Sequence, residues 1–219
     1  MELETILTVL SIIGIDIILG GDNAVVIAMA CKNLPKQQRN KAIILGAGLA
    51  VILRTLLTVF AMIVLKIPYL TLIGGLMLIG VAVGLVMSEK NEKVSVKAGV
   101  SLSSAVSTIV FADIIMGLDN VLAVAGAASG NYLFVLFGLI VSVPIIISGS
   151  KLMLILFDKV PFFMYVGAGI LAFTAGKMIA NEEAISNVTD RITTLIPYLT
   201  VLLVLCWTIL SKKLQQSHY

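Results

Sequence analysis

Asp16-Ile17-Ile18-Leu19-Gly20-Gly21-Asp22-Asn23 lies inside a long apolar run, and Asp113-Ile114-Ile115-Met116-Gly117-Leu118-Asp119-Asn120 repeats it 97 residues later. At that shift Asp16–Ala28 falls on Asp113–Ala125, and seven of 13 positions agree: Asp16, Ile17, Ile18, Gly20, Asp22, Asn23 and Ala28. Matches of Ile and Ala are common in an apolar chain. Two aspartates, a glycine and an asparagine in the same order are not, so the phrase marks an internal duplication. A looser echo at a shift of 93 places Pro68, Gly74 and Glu89 on Pro161, Gly167 and Glu182.

The surroundings of both phrases decide the solvent. The chain has 219 residues, 59% of them hydrophobic and 12% charged, with a mean hydropathy of +1.11. Several stretches exceed about 18 nearly uncharged residues, the length that crosses a bilayer as a helix. Seven such segments are expected, near 6–30, 41–65, 69–88, 103–128, 131–154, 162–180 and 193–211. The fold class is therefore an all-α integral membrane protein, a single membrane domain over 1–219. Repeat one covers 6–88, repeat two covers 103–180, and 193–211 is an extra C-terminal helix. Three helices per repeat is an odd number, so the second copy enters from the opposite side. That gives a 3+3 inverted-topology repeat with its site near the midplane.

Charge distribution sets the expected orientation. Lys32, Lys36, Arg39, Lys41, Lys90, Lys93, Lys97, Lys159, Lys212 and Lys213 fall on one side. Lys66 and Arg191 fall on the other, with Glu2, Glu4, Glu182, Glu183 and Asp190. Basic residues favour the cytoplasm, which predicts the N-terminus outside and the C-terminus inside. The net charge of +3 gives no reason to expect nucleic acid. Ala28-Met29-Ala30 has the form of a signal-peptidase site, but the start is acidic and aspartates interrupt the run, so a retained first helix is expected. Cys31 and Cys206 are in no metal-ligand spacing, and the single His218 lies in the tail.

An aspartate at the centre of a spanning helix costs about 2.5–3.5 kcal/mol on insertion scales. Asp16, Asp22, Asp113 and Asp119 would together cost about 10–14 kcal/mol if simply summed, and partners or water must relieve that burden. Arg54 and Lys151 are the candidate counter-ions or gating charges. On an intact helix Asp22 points about 120° away from Asp16 and sits about 9 Å along the axis, so one ion does not reach both. Gly20, Gly21 and Gly117 offer hinges at which the backbone can unwind. Inversion offers a second solution: Asp16 shares a depth with Asp119, and Asp22 with Asp113. Carboxylate, amide and carbonyl oxygens are hard ligands suited to Mn2+, Ca2+ or Mg2+. With 14 aromatic residues and no Trp near the motifs, an aromatic cage for an organic cation is not expected.

The stretches GIDIILGGDNAVVIA (14–28) and FADIIMGLDNVLAVA (111–125) resemble the paired signature of the TerC family of integral membrane proteins. The resemblance covers essentially the whole chain. It implies export of a divalent metal ion, most often manganese, from the cytoplasm of a bacterium, across the cell (inner) membrane. It carries ligand roles onto Asp16, Asp22, Asn23, Asp113, Asp119 and Asn120. It also implies kinship with lysine exporters built from inverted three-helix repeats.

The leading expectation is a secondary transporter and not an enzyme, with no prosthetic group. Its partners are the transported ion, the lipid bilayer, protons as coupling ion and, in a homo-oligomer, further copies of the chain. Export of a small organic solute such as a basic amino acid is the alternative. An intramembrane aspartyl protease is disfavoured because Leu19 stands where its G-x-G-D phrase needs the first glycine. Gly80-x3-Gly84 and Gly126-x3-Gly130 read as close helix contacts. Pro144 reads as a kink supported by Ser142 and Ser148.

Overall fold

The computed structural model describes residues 2–60, 67, 69–88, 101–127, 132–182, 185 and 190–216. Among them are eight helices: α1 Glu2–Leu19, α2 Gly21–Lys32, α3 Lys36–Val59, α4 Leu70–Ser88, α5 Leu102–Ala127, α6 Tyr132–Lys159, α7 Phe163–Asn181 and α8 Asp190–Gln216. No strand occurs among the described residues. Each expected apolar segment corresponds to one helix, except the first, which is the pair α1 and α2. Five helices are long and apolar enough to cross a bilayer, and the bent pair Thr5–Ile17 and Gly21–Lys32 makes a sixth. In α5 the shorter stretch Leu102–Leu118 is apolar. Large apolar side chains such as Leu152, Phe162, Leu202 and Trp207 are more than half exposed. Water does not tolerate that coat at this density, whereas lipid does.

Local sequence explains the boundaries. Pro35, extended at φ −53° and ψ 138°, immediately precedes α3, and its carbonyl accepts the Gln38 N–H at 2.8 Å. A proline suits this place because the first turn of a helix has no use for its missing N–H. The helix therefore starts at Lys36 rather than near 41. Arg39 turns back onto the end of α2, donating to the Leu34 carbonyl at 3.0 Å and to the Lys32 carbonyl, where a cation suits the free carbonyls. α6 runs unbroken through Pro144.

The chain forms two compact units that cut across the repeats. The first comprises Met1–Pro68 and Val100–Leu156, the second Tyr69–Gly99 and Phe157–Tyr219. The first unit thus joins the leading segments of both repeats, with α3 packed chiefly on α5. Contact is close because α3 presents a stripe of small residues, Gly46, Ala47 and Ala50. A Cβ on Gly46 would lie 2.8 Å from Ile109. Ile12, Val135 and Leu139 form a buried cluster nearby, and Gly138 admits Ile12 in the same way.

In the second unit α7 packs on α4 and α8. Gly75 backs onto the Ala175 carbonyl and Gly176 onto Pro197 and Thr200. The expected contact at Gly80 and Gly84 is corrected: a Cβ at either would meet nothing within 4 Å, because both lie on an exposed face of α4. Gly130 falls outside the described residues.

Between α7 and α4, within this unit, the Glu182 carboxylate caps the start of α4. It accepts from the Thr71 hydroxyl and from the Tyr69 and Leu72 N–H groups, both at 3.2 Å. The Thr71 hydroxyl first, and these backbone donors after it, hold the Glu182 carboxyl below the usual value of 4.5 against the opposing effect of burial. Tyr69 adopts φ 61°, the one left-handed non-glycine among the described residues.

Candidate functional site

Arg54 sits on the buried stripe of α3, eight residues beyond Gly46 and four beyond Ala50. The small residues below it let α5 approach, so the long side chain reaches the polar positions of α1 and α5. One guanidinium nitrogen donates to Asp16 Oδ1 and the other to Asp113 Oδ1, forming two ion pairs on a single cation. Asp16, Arg54 and Asp113 are 3%, 4% and 9% exposed. Asp16 and Asp113 occupy the same place in the two copies of the motif, so Arg54 joins equivalent residues of the two repeats.

The glycines of the motif also flank the guanidinium. A Cβ on Gly20 would lie 3.6 Å from the Arg54 side chain, and one on Gly117 would lie 3.7 Å from its Nε. At Gly20 the space is needed for other reasons too: the added carbon would come 2.5 Å from the Asp16 carbonyl and 3.0 Å from Asn23 Nδ2. Gly20 itself is at φ −100° and ψ 12°, so crowding rather than a positive φ demands glycine. Here the first segment breaks, with a 47° bend between the two helical pieces. The hinge expected at Gly117 is absent, because α5 continues through it. The neighbour after it explains this: Leu118 is buried where the first copy has the exposed Gly21.

Ser142 of α6 completes the Asp16 side. Its hydroxyl donates to Asp16 Oδ2 and also lies 2.9 Å from the Leu139 carbonyl. Ser148 bonds the Pro144 carbonyl at 2.7 Å, a backbone role of the kind expected for both serines. Sequence reasoning missed the Ser142 contact with Asp16. The signal was a small hydroxyl in an apolar helix, which support of the backbone at Pro144 already accounted for.

On the Asp113 side the polar groups are not used up. Asp113 Oδ2, Arg54 Nε and both side-chain atoms of Asn23 are buried with no hydrogen-bond partner. Asn23 and Asp113 line a cavity of about 10 Å3 with Val26, Ile27, Ile109 and Met116, a space of about one water. A buried unpaired polar group costs about 1–3 kcal/mol, so the open oxygens of Asn23 and Asp113 invite a ligand.

The other expected residues take separate places. Asp22 stands in the first turn of α2, near enough for its charge to act on Asp113. Asn120 is half-buried on α5. Asp119 belongs to α5, but its side chain lies outside the described residues. Asp16 and Asp113 share their contact with Arg54, while the expected sharing of depth between Asp16 and Asp119 falls on a side chain outside the described residues. Lys151 is exposed on α6. It lies nine residues past Ser142, about 13.5 Å along the helix, and takes no part in the cluster. No three His, Cys, Asp or Glu side chains form a ready metal cage among the described residues.

These features define an all-α membrane protein in which two copies of one motif bring buried aspartates onto a shared arginine. The model of the Integral membrane protein TerC family matches residues 1–217, and the chain belongs to that family. It is 45% identical over 219 residues to the Uncharacterized membrane protein YjbE of Bacillus subtilis (strain 168), covering 99% of this chain and all of the relative. It is 26% identical over 177 residues to the Uncharacterized membrane protein YceF of the same organism, covering 77% of this chain and 68% of the relative. No solved structure matches.

Proposed function

We propose that the protein is a secondary transporter that exports a divalent cation, Mn2+ ahead of Ca2+ and Mg2+, across the bacterial cell membrane. Asp16, Asp22, Asn23, Asp113, Asp119 and Asn120 supply its oxygen ligands. Seven spans arranged as a 3+3 inverted repeat plus α8 carry it, with the N-terminus outside and the C-terminus in the cytoplasm. The preference for Mn2+ and the outward direction rest on the family resemblance. The chemistry rests on the cluster.

One observation carries the reading. Two repeat-equivalent carboxylates are buried around one guanidinium, beside a cavity with unpartnered oxygens on Asn23 and Asp113. With both carboxylates ionised the three groups sum to one negative charge, two minus one. Such a charge in a low-dielectric site attracts cations, and a divalent ion neutralises two carboxylates fully. The small cavity favours a bare ion over an amino acid. Asp16 and Asp113 both paired to arginine also suit ion coordination better than the shared proton of a protease dyad. When the ion leaves, its two charges must be replaced, and protons arriving from outside are one replacement.

The test is flux into proteoliposomes containing the purified protein, with Mn2+, Ca2+, Mg2+ and Zn2+ compared at two pH values. Mn2+ flux that disappears in Asp113→Asn is expected. Protein-free and protein-containing vesicles that leak all four ions equally would falsify the reading.

A further inference from the structure

We propose that Arg54 is the cation that stands in for the transported ion. In the ion-free carrier its guanidinium occupies Asp16 and Asp113, and a divalent ion gains those carboxylates only as Arg54 withdraws. This rests on the transport reading above and adds a rule to it, that the guanidinium and the metal are alternative occupants of one site.

Three observations converge. First, Arg54 takes one oxygen from each of two equivalent aspartates, which is where an ion shared by two inverted repeats would lie. Second, the guanidinium is held by few other groups. Its Nε has no hydrogen-bond partner, and Gly20 and Gly117 leave ordinary clearance beside it rather than a clamp. Third, Asn23 and Asp113, the residues with side-chain oxygens left open, both line the cavity, and Arg54 does not. An ion can therefore make first contact there while Arg54 is still in place.

Charge then drives the exchange. A singly charged guanidinium and a doubly charged metal repel strongly at a few ångströms in a medium of low dielectric. Arginine does not relieve this by losing its proton. Its long, flexible stem instead lets the charged head swing away while its root stays on α3. When the metal departs, the head returns, and the carboxylates are never left bare in the bilayer. The return of the ion-free carrier depends on that, whereas exchange of one metal ion for another does not, because the metal is present on both legs.

The experiment compares two fluxes in proteoliposomes, for wild type and Arg54→Gln. Net flux is Mn2+ entry into metal-free vesicles. Exchange is uptake of radioactive Mn2+ into vesicles already loaded with Mn2+. Arg54→Gln is expected to lose net flux at least tenfold and to keep exchange within about threefold of wild type. Loss of both together, with wild type active, would make Arg54 a purely structural residue and overturn the inference. Net flux equal to wild type would overturn it as well. A wild type that moves no divalent cation removes the transport reading first, and the inference with it.

A second measurement needs no variant. In a structure of the wild type soaked with Mn2+, Arg54 should have left at least one of Asp16 and Asp113. Metal bound to both carboxylates with both ion pairs intact would sink the proposal even if Arg54→Gln fails to fold.

Discussion

The first copy of the motif breaks its helix and the second does not. Residues 16–23 end α1 and begin α2 across Gly20, while residues 113–120 stay within α5. The two copies share Asp, Gly, Asp and Asn at equal spacing, yet the residue after the shared glycine differs, Gly21 against Leu118. Leu118 has a side chain to bury and keeps the helix whole. Gly21 has none, and its greater backbone freedom lowers the cost of leaving the helix. One set of polar residues is thus delivered by two backbones: a jointed one, in which a fresh helix starts at Gly21 just before Asp22, and a continuous one. Under the proposed transport function, one continuous wall and one jointed wall would hold the same ion while only one side gives way.

The aspartates test that comparison most strongly. Asp16→Asn and Asp113→Asn should each abolish Mn2+ flux in proteoliposomes, because each removes one of the two equivalent carboxylates. Their stabilities should differ. Asp16 also receives Ser142, a bond to a charged group worth about 1.5–3 kcal/mol, whereas Asp113 leaves one oxygen unpartnered. Thermal unfolding in detergent should therefore show Asp16→Asn the less stable by about 1–2 kcal/mol. Equal melting would mean the Ser142 contact contributes nothing.

The glycines come next. Gly20→Ala forces a carbon to 2.5 Å from the Asp16 carbonyl, and overpacking of this kind costs about 1–3 kcal/mol. Flux should fall with it. Gly117→Ala meets nothing closer than 3.7 Å inside a continuous helix, where alanine gains about 0.5–1 kcal/mol over glycine. Opposite signs in the melting of the two variants are expected, and matching signs would erase the distinction between the copies.

Much of this was legible in the sequence. Hydropathy alone located the helical segments, and the duplicated Asp and Asn residues located the polar cluster. Arg54 stood out as a cation in an apolar helix, while Lys151 stood out equally and proved exposed. Sequence separation gave no means to choose between them, since the choice depends on which face of α3 or α6 meets α5. Pairing by depth rests on a related assumption. It treated both motifs as straight rods, and the break at Gly20 removes that premise for the first. The packing glycines Gly46, Gly75, Gly138 and Gly176 belong to no Gly-x3-Gly pair, and a glycine matters only where a neighbouring helix arrives.

Met116 offers a finer distinction. It lines the cavity beside Asn23 and Asp113, and its counterpart in the first copy is Leu19. A thioether is a softer donor than oxygen and prefers transition metals to Ca2+ and Mg2+. Met116→Leu conserves volume and should leave Mn2+ flux nearly intact. The preference for Mn2+ over Ca2+ in competition should drop on the order of threefold to tenfold, about 1 kcal/mol. An unchanged ratio would assign Met116 to packing alone.

The smallest effect lies away from the motif, where the repeats echo through Glu89 and Glu182. Glu182 caps α4 through Thr71, Tyr69 and Leu72, and a carboxylate at a helix start contributes about 0.3–1 kcal/mol beyond its individual bonds. Glu182→Gln should lower stability by about 1 kcal/mol at pH 7. The sign of the pH dependence comes from the lowered pKa. Stability from the charged form is fully present above the unfolded value near 4.5. It is lost as pH falls from there through the lower folded value. The gap between wild type and Glu182→Gln should therefore be widest at neutral pH and close below about pH 4.5. Melting both proteins in detergent from pH 7 to pH 3, with Glu89→Gln alongside, reads this directly. A gap at Glu89 that closes in the same window would extend the equivalence of the repeats to their helix caps, and a flat response there would confine it to the motif and its arginine.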